Sequence, residues 1–393
     1  MGRFLRRLFI GLALLLVGLG ALALTPPGAR SIEAARLLAD MGMGGSAAGT
    51  VAGDGRDGAA GRGVTRETIA FAHGGRGYAA DIYTAAAEPL AALVLVPGLA
   101  PQGKEDPRLV DLATTLARAR FAVLVPDLPS LMEQRVSPNN VRQIADALGY
   151  LRAEGWRWPR ADPPYGVVAI SYAVGPALLA TLEPDIRGRV DFAVAVGGYW
   201  DVDAVLTYFT TGFYRDAAHG PWIEGQPNEF GKWLFVRANA DRIPALRDRI
   251  NLTAIAGRKM DDPNADIADL LPLLGAEGQS VMRLLTNKDP ERTPALIAGL
   301  PAPLLGDLRA LDLKSRDLSG APPRVLLLHG RDDRIVPAPQ SFALARALGP
   351  DRADLFIVDN LGHADLSAGH WRDILTLGEA AYRLLEWRDG SAS

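Results

Sequence analysis

The sequence predicts an α/β fold, a mostly parallel sheet covered on both faces by helices, and three observations carry that prediction. Short runs that are apolar throughout, such as Ala91–Val96, Phe121–Val125 and Val190–Val196, alternate with amphipathic stretches such as Arg108–Arg120. Strands that are apolar along their whole length, not only at every second residue, belong to parallel sheets buried on both faces. The alternation stops near residue 199 and resumes near residue 322, so one sheet carries an insertion and no second sheet follows it. With 393 residues, 48% of them hydrophobic, the chain is long enough to bury such a core.

Composition narrows the function classes. Acidic residues number 45 against 42 basic ones, and the first seven positions hold the densest basic run. Nucleic acid is therefore not an expected partner. The chain has no cysteine, which excludes disulfides, thiolate metal sites and a cysteine nucleophile.

At the N-terminus, Arg3, Arg6 and Arg7 precede an uncharged apolar stretch from Leu8 to Leu24. Residues 1–25 read as a signal peptide or a membrane anchor, with the basic flank in the cytoplasm and the rest exported. The stretch is short for a spanning helix of about 20 residues and long for a signal-peptide core, while Ala21-Leu22-Ala23 offers a small-x-small cleavage site. Residues 26–63 turn to Gly, Ala, Ser and Asp and read as a flexible tether, with helical spacing only over Ile32–Met41.

The regular pattern begins with two strands, Glu67–Ala72 and Tyr78–Thr84, joined through Gly74-Gly75-Arg76-Gly77 as a hairpin. Strands then follow over Ala91–Val96, Phe121–Val125, Gly166–Ile170 and Val190–Val196, with helices over Arg108–Arg120, Val141–Glu154 and Gly175–Leu182. The insertion, residues 200–321, reads as proline-broken helices with aromatic pairs at Tyr199-Trp200, Tyr208-Phe209 and Phe213-Tyr214. After it come strand Arg324–Leu328, helix Ser341–Leu348, strand Asp354–Val358 and a closing helix Trp371–Trp387. The core thus comprises residues 64–199 and 322–388, with a helical cap between them.

Three strand ends carry candidate chemistry. The run Tyr165–Ile170 ends at Ser171, and a helix-like run begins at once. Such a turn lifts a serine above the sheet edge, beside the free N–H groups of the helix. Small residues are needed two positions away on each side, and Ala169 and Ala173 serve. After the strand Arg324–Leu328 comes His329-Gly-Arg-Asp-Asp-Arg-Ile-Val-Pro337, and after Asp354–Val358 comes Asn360-Leu-Gly-His363. At these positions the chain resembles the α/β-hydrolase superfamily, whose nucleophile, acid and histidine follow in that order on loops at one edge of the sheet.

The resemblance implies an α/β-hydrolase fold, with an eight-stranded sheet and a mainly helical cap after the sixth strand. It also implies a serine hydrolase of carboxylic esters, with Ser171 as nucleophile, His363 as general base and acid, and Asp333 as the carboxylate behind it. Asp332 and Asp201 are rival acids; the spacing to Val336-Pro337 favours Asp333. The oxyanion would be held by the backbone N–H groups of Tyr172 and Leu99. His73, His219, His329 and His370 read as structural or surface residues. No metal or organic cofactor is implied, and the substrate class is a small ester or acyl compound, with the cap aromatics favouring an apolar one. Peptidase, thioesterase and acyltransferase chemistry share this triad, and an exported, non-catalytic binding protein on the same fold is the alternative of a different class. One further motif, Gly98-Leu-Ala-Pro-Gln-Gly103-Lys104, fits a phosphate-binding loop in spacing, but Glu105 stands where that loop needs Ser or Thr.

Overall fold

The computed structural model of the chain describes residues 25–44, 63–154, 162–216, 219–359 and 371–390. A helix, α1 (Pro26–Gly44), comes first, followed by the hairpin β1 (Val64–His73) and β2 (Arg76–Ala85) and the strand β3 (Ala91–Val96). The hairpin turns through Gly74 and Gly75, both at positive φ, a region open to glycine because it lacks Cβ. Next come α2 (Pro107–Arg118), β4 (Phe121–Pro126), the short α3 (Pro129–Met132), α4 (Asn139–Ala153), β5 (Tyr165–Ile170), α5 (Val174–Thr181) and β6 (Phe192–Val196). Asp106 caps α2 by accepting the Arg108 N–H at 3.0 Å, with Pro107 in the first turn where a missing N–H costs nothing.

The chain then leaves the sheet for the cap: α6 (Val202–Thr211), the two-residue strands β7 (Phe213–Tyr214) and β8 (Ile223–Glu224), α7 (Glu229–Asn239), α8 (Leu246–Asp261), α9 (Ala276–Leu285), α10 (Thr293–Ala298) and α11 (Ala302–Leu311). It returns through β9 (Val325–Gly330), α12 (Pro339–Leu348), β10 (Ala353–Val358) and α13 (Trp371–Asp389). The eight-stranded sheet has the order β1-β2-β4-β3-β5-β6-β9-β10. From β4 to β10 every neighbouring pair is parallel, and β2 runs antiparallel to both β1 and β4. This is the α/β-hydrolase fold.

Apolar residues on the two sheet faces form two cores. One packs the sheet against α4, α5 and α12, the other against α1, α2 and α13. A third cluster, around Phe209, Trp233, Leu252 and Leu284, lies inside the cap and gives it a core of its own. The β7–β8 pair is an addition to the helical cap that sequence periodicity did not reveal, since two-residue strands are too short to show alternation.

Residues 26–44 correct the tether reading. They form a 19-residue helix that buries Ala34 and Leu37 and lies along α13. Arg388, itself buried, pairs with Glu33 at 2.6 Å, and Arg30 pairs with Asp389 at 3.1 Å. Pro26 and Pro27 sit in the first turn of the helix, where proline is tolerated. Among the described residues no helix is long and apolar enough to cross a membrane; residues 1–24 and the remainder of the tether, 45–62, lie outside them.

Candidate active site

The parallel strands bring the C-terminal ends of β3, β5, β9 and β10 to one edge of the sheet, the edge where open α/β sheets bind ligands. Between β5 and α5 stands Ser171, with φ of +56°, one of four non-glycine residues at positive φ among those described. A non-glycine residue held in the left-handed region costs on the order of 1 kcal/mol or more and persists only where its surroundings impose it. Those surroundings are tight. A Cβ on Gly98 would lie 3.3 Å from Ile170 O and from Ser171 Cβ. One on Gly175 would lie 1.9 Å from Tyr199 Oη, and one on Gly198 2.5 Å from a Val174 methyl. Ala169 and Ala173 are both buried, so their methyl groups are accommodated beside the turn.

Tyr172 follows the serine, and its side chain runs under the cap. Its hydroxyl accepts the Ser137 N–H at 2.9 Å and lies 3.3 Å from Asn140 Oδ1. Burial pushes the phenol well above its ordinary value, so it remains a neutral hydroxyl across the physiological range. Leu99, in the loop after β3, lines the same cavity as Ser171 and Tyr172.

Asp333 is buried in the loop after β9, and its Oδ1 accepts the N–H groups of Ile335 at 2.8 Å and Val336 at 3.0 Å. Asp332 beside it is exposed. Asp201 is engaged elsewhere: it caps α6 through the Ala204 N–H at 3.1 Å and pairs with Lys314 at 2.7 Å. His363 and Asn360 lie outside the described residues, as does His370. The described site therefore groups Ser171, Tyr172 and Leu99 around one cavity and holds Asp333 at the same sheet edge.

Sequence reasoning missed how closely His329 is tied to Asp333. His329 is fully buried at the end of β9. Its Nε2 is 2.9 Å from Val336 O and 3.5 Å from Asp333 Oδ2, and its Nδ1 is 2.7 Å from Ser341 Oγ. A carbonyl only accepts, so Nε2 carries a hydrogen and donates it to Val336 O. The ring thus braces the Asp333 loop. The signal was a histidine inside an apolar strand four residues before the acid.

Two other clusters turn out to be structural. Lys104, of the phosphate-loop-like spacing, donates to Asp81 Oδ1 at 2.8 Å. Burial alone would raise the Asp81 carboxyl, but hydrogen bonds from Lys104, Thr68 and Arg66 outweigh it and hold the group below its usual range. His73 lies beside Asp146 and Asp185 in a set that could contact a metal ion. The Asp146 oxygens, however, are taken by Arg76, Tyr78 and Arg142.

Above Ser171 opens a cavity of about 830 Å³. Its floor is Pro97 to Ala100 with Ile170 to Tyr172, and its walls are apolar residues of the cap, among them Val205, Phe209, Leu234, Phe235 and Leu308. Arg108 and Asp111 of α2, both exposed, and Met41 of α1 also line it and mark its mouth.

No protein-family model matches the sequence, and no curated protein matches it. Solved structures resemble it in fold. The Pyrococcus horikoshii acylaminoacyl peptidase aligns at 11% identity and a TM-score of 0.39, over 84% of this chain and 41% of the peptidase. The chain thus spans about two fifths of that protein's length. An esterase/lipase from an uncultured bacterium aligns at 14% identity and a TM-score of 0.45, over 91% of this chain and 99% of the other. The Pyrobaculum calidifontis esterase aligns at 14% identity and a TM-score of 0.43, over 92% of each chain.

Proposed function

We propose that the chain is a serine hydrolase that cleaves carboxylic esters of an apolar acid or alcohol. The observation that carries this reading is Ser171, kept at φ +56° between β5 and α5 on the floor of a largely apolar cavity. A serine hydroxyl is a weak nucleophile, and in this reading His363 takes its proton as Oγ attacks the ester carbonyl carbon. The resulting oxyanion is held by the backbone N–H groups of Tyr172 and Leu99. Collapse breaks the bond to the alkoxide oxygen, which leaves with the proton from His363. Water, deprotonated by the same imidazole, then releases the acid and restores Ser171. Asp333 orients the imidazole and stabilises its charged form. We further propose that the chain is exported and held at a membrane by residues 8–24.

The deciding experiment is labelling of the full chain with a fluorophosphonate, followed by mass mapping, beside Ser171→Ala and His363→Ala. The expected result is one adduct, on Ser171, absent from both variants. A folded chain with no adduct overturns the hydrolase reading in favour of a binding protein on the same fold.

A further inference from the structure

The wall that α7 gives to the cavity is a single stripe: Phe230, Gly231, Leu234, Phe235, Ala238 and Asn239. These positions recur at the spacing that places residues on one helical face. Five are apolar and the last is an amide. Asn239 is 2% exposed, and its Nδ2 donates to Phe235 O at 2.8 Å. That bond fixes the amide's orientation, because only the nitrogen can donate to a carbonyl. The other terminus, Oδ1, is buried and has no hydrogen-bond partner among the described residues. Leaving a buried acceptor unsatisfied is costly, and here it occurs on a residue that lines the ligand cavity.

The position is built in. Val136 N–H donates to Ala238 O at 2.9 Å, and the next residue, Ser137, donates its N–H to the Tyr172 hydroxyl. The end of α7 is thereby stitched to the residue after Ser171.

We propose that Asn239 Oδ1 is the recognition point for one neutral hydrogen-bond donor, a hydroxyl or an amide N–H, on an otherwise apolar ligand. A carboxamide oxygen accepts and does not donate, so a ligand with only acceptors gains nothing there. An ammonium group would lose its hydration among apolar walls with no counter-charge on the stripe. The proposal rests on the reading above in one respect, that this cavity is the substrate site; it then names the substrate class as hydroxylated or amide-bearing apolar esters.

The test uses phenyl alkyl ethers, which have no scissile ester, with a hydroxyl walked along the alkyl chain. Binding to the full chain is measured by calorimetry. At least one regioisomer should bind about tenfold tighter than the hydroxyl-free parent, the scale of one hydrogen bond to a buried acceptor. Asn239→Leu should erase that preference and tighten binding of the parent. A flat series in the unsubstituted chain overturns the proposal without reliance on any variant, and so does a preference that survives in Asn239→Leu of unchanged melting temperature. A flat series with normal fluorophosphonate labelling discards Asn239 recognition alone; a clear preference with no labelling discards hydrolysis alone.

Discussion

In the sheet, β3, β4 and β9 bury every residue; in the cap, α8 buries Leu252, Ile255 and Ala256 yet leaves Leu246 and Ile250 63% and 59% exposed. The sheet carries the cavity's floor by backbone geometry: Ser171 at positive φ, Gly98 within contact distance of it, and an acid whose carboxylate is held by two backbone N–H groups. The cap supplies walls through side chains on helices with a core of their own. A substitution in the sheet should therefore damage chemistry and fold together, and one in the cap should change what is accepted more than how it is cleaved.

The largest expected effect lies at the sheet edge. Asp333→Asn should lower kcat on a small activated ester by about 10⁴-fold, the scale for a triad carboxylate lost without loss of geometry. Asp332→Asn should leave it unchanged; equal losses would return the acid's role to the exposed neighbour.

Leu124→Ala in β4 and Leu252→Ala in α8 remove fully buried side chains of the same kind, each at a cost of about 2–5 kcal/mol. Hydrogen exchange should show the Leu252→Ala loss confined to cap amides, with fluorophosphonate labelling retained. Exchange that spreads evenly through the sheet would mean that the two regions unfold as one unit.

Gly175→Ala probes the joint between them. The new methyl would meet the hydroxyl of Tyr199, which is buried and donates to Leu311 O of the cap at 3.1 Å. Overpacking of this kind costs about 1–3 kcal/mol, read as a lower urea midpoint.

The smallest effect is acid sensitivity at the β1–β2 edge. The Asp81 carboxyl is held below its ordinary value in the folded chain, so its contribution is complete above the unfolded value near 3.9 and is lost as pH falls through the folded one. Stability should drop below about pH 4, and Asp81→Asn should flatten that limb. A limb unchanged by the substitution would assign it to other carboxylates, such as Asp146, whose carboxyl is also lowered.

How much of this could be read in the sequence follows the same division. The core strands were legible because a buried parallel strand leaves an unbroken apolar run, and the Ser171 turn was legible because the period changes there. Asp333 is buried and Asp332 exposed, a difference in burial that no spacing in the sequence states. The docking of α1 was not legible: its Ala-rich composition resembles a linker, and Ala34 and Leu37 become a buried face only beside α13. Asn239 was hidden for a related reason. A single polar residue on a helix reads as its solvent face, and only the cavity shows that this one points inward with five apolar neighbours.

The helix α1 runs antiparallel to α13, with Arg30 at the Asp389 end and Leu38 beside Gly378, and it ends near Met41 at the cavity mouth. Nineteen helical residues span roughly 28 Å. The Pro26 end of this rod therefore lies opposite the end at Met41, which lines the cavity. Attachment to a bead or a vesicle through that terminus should leave the mouth open to the surrounding solution, so that tethered and free protein admit a dissolved ligand at the same rate.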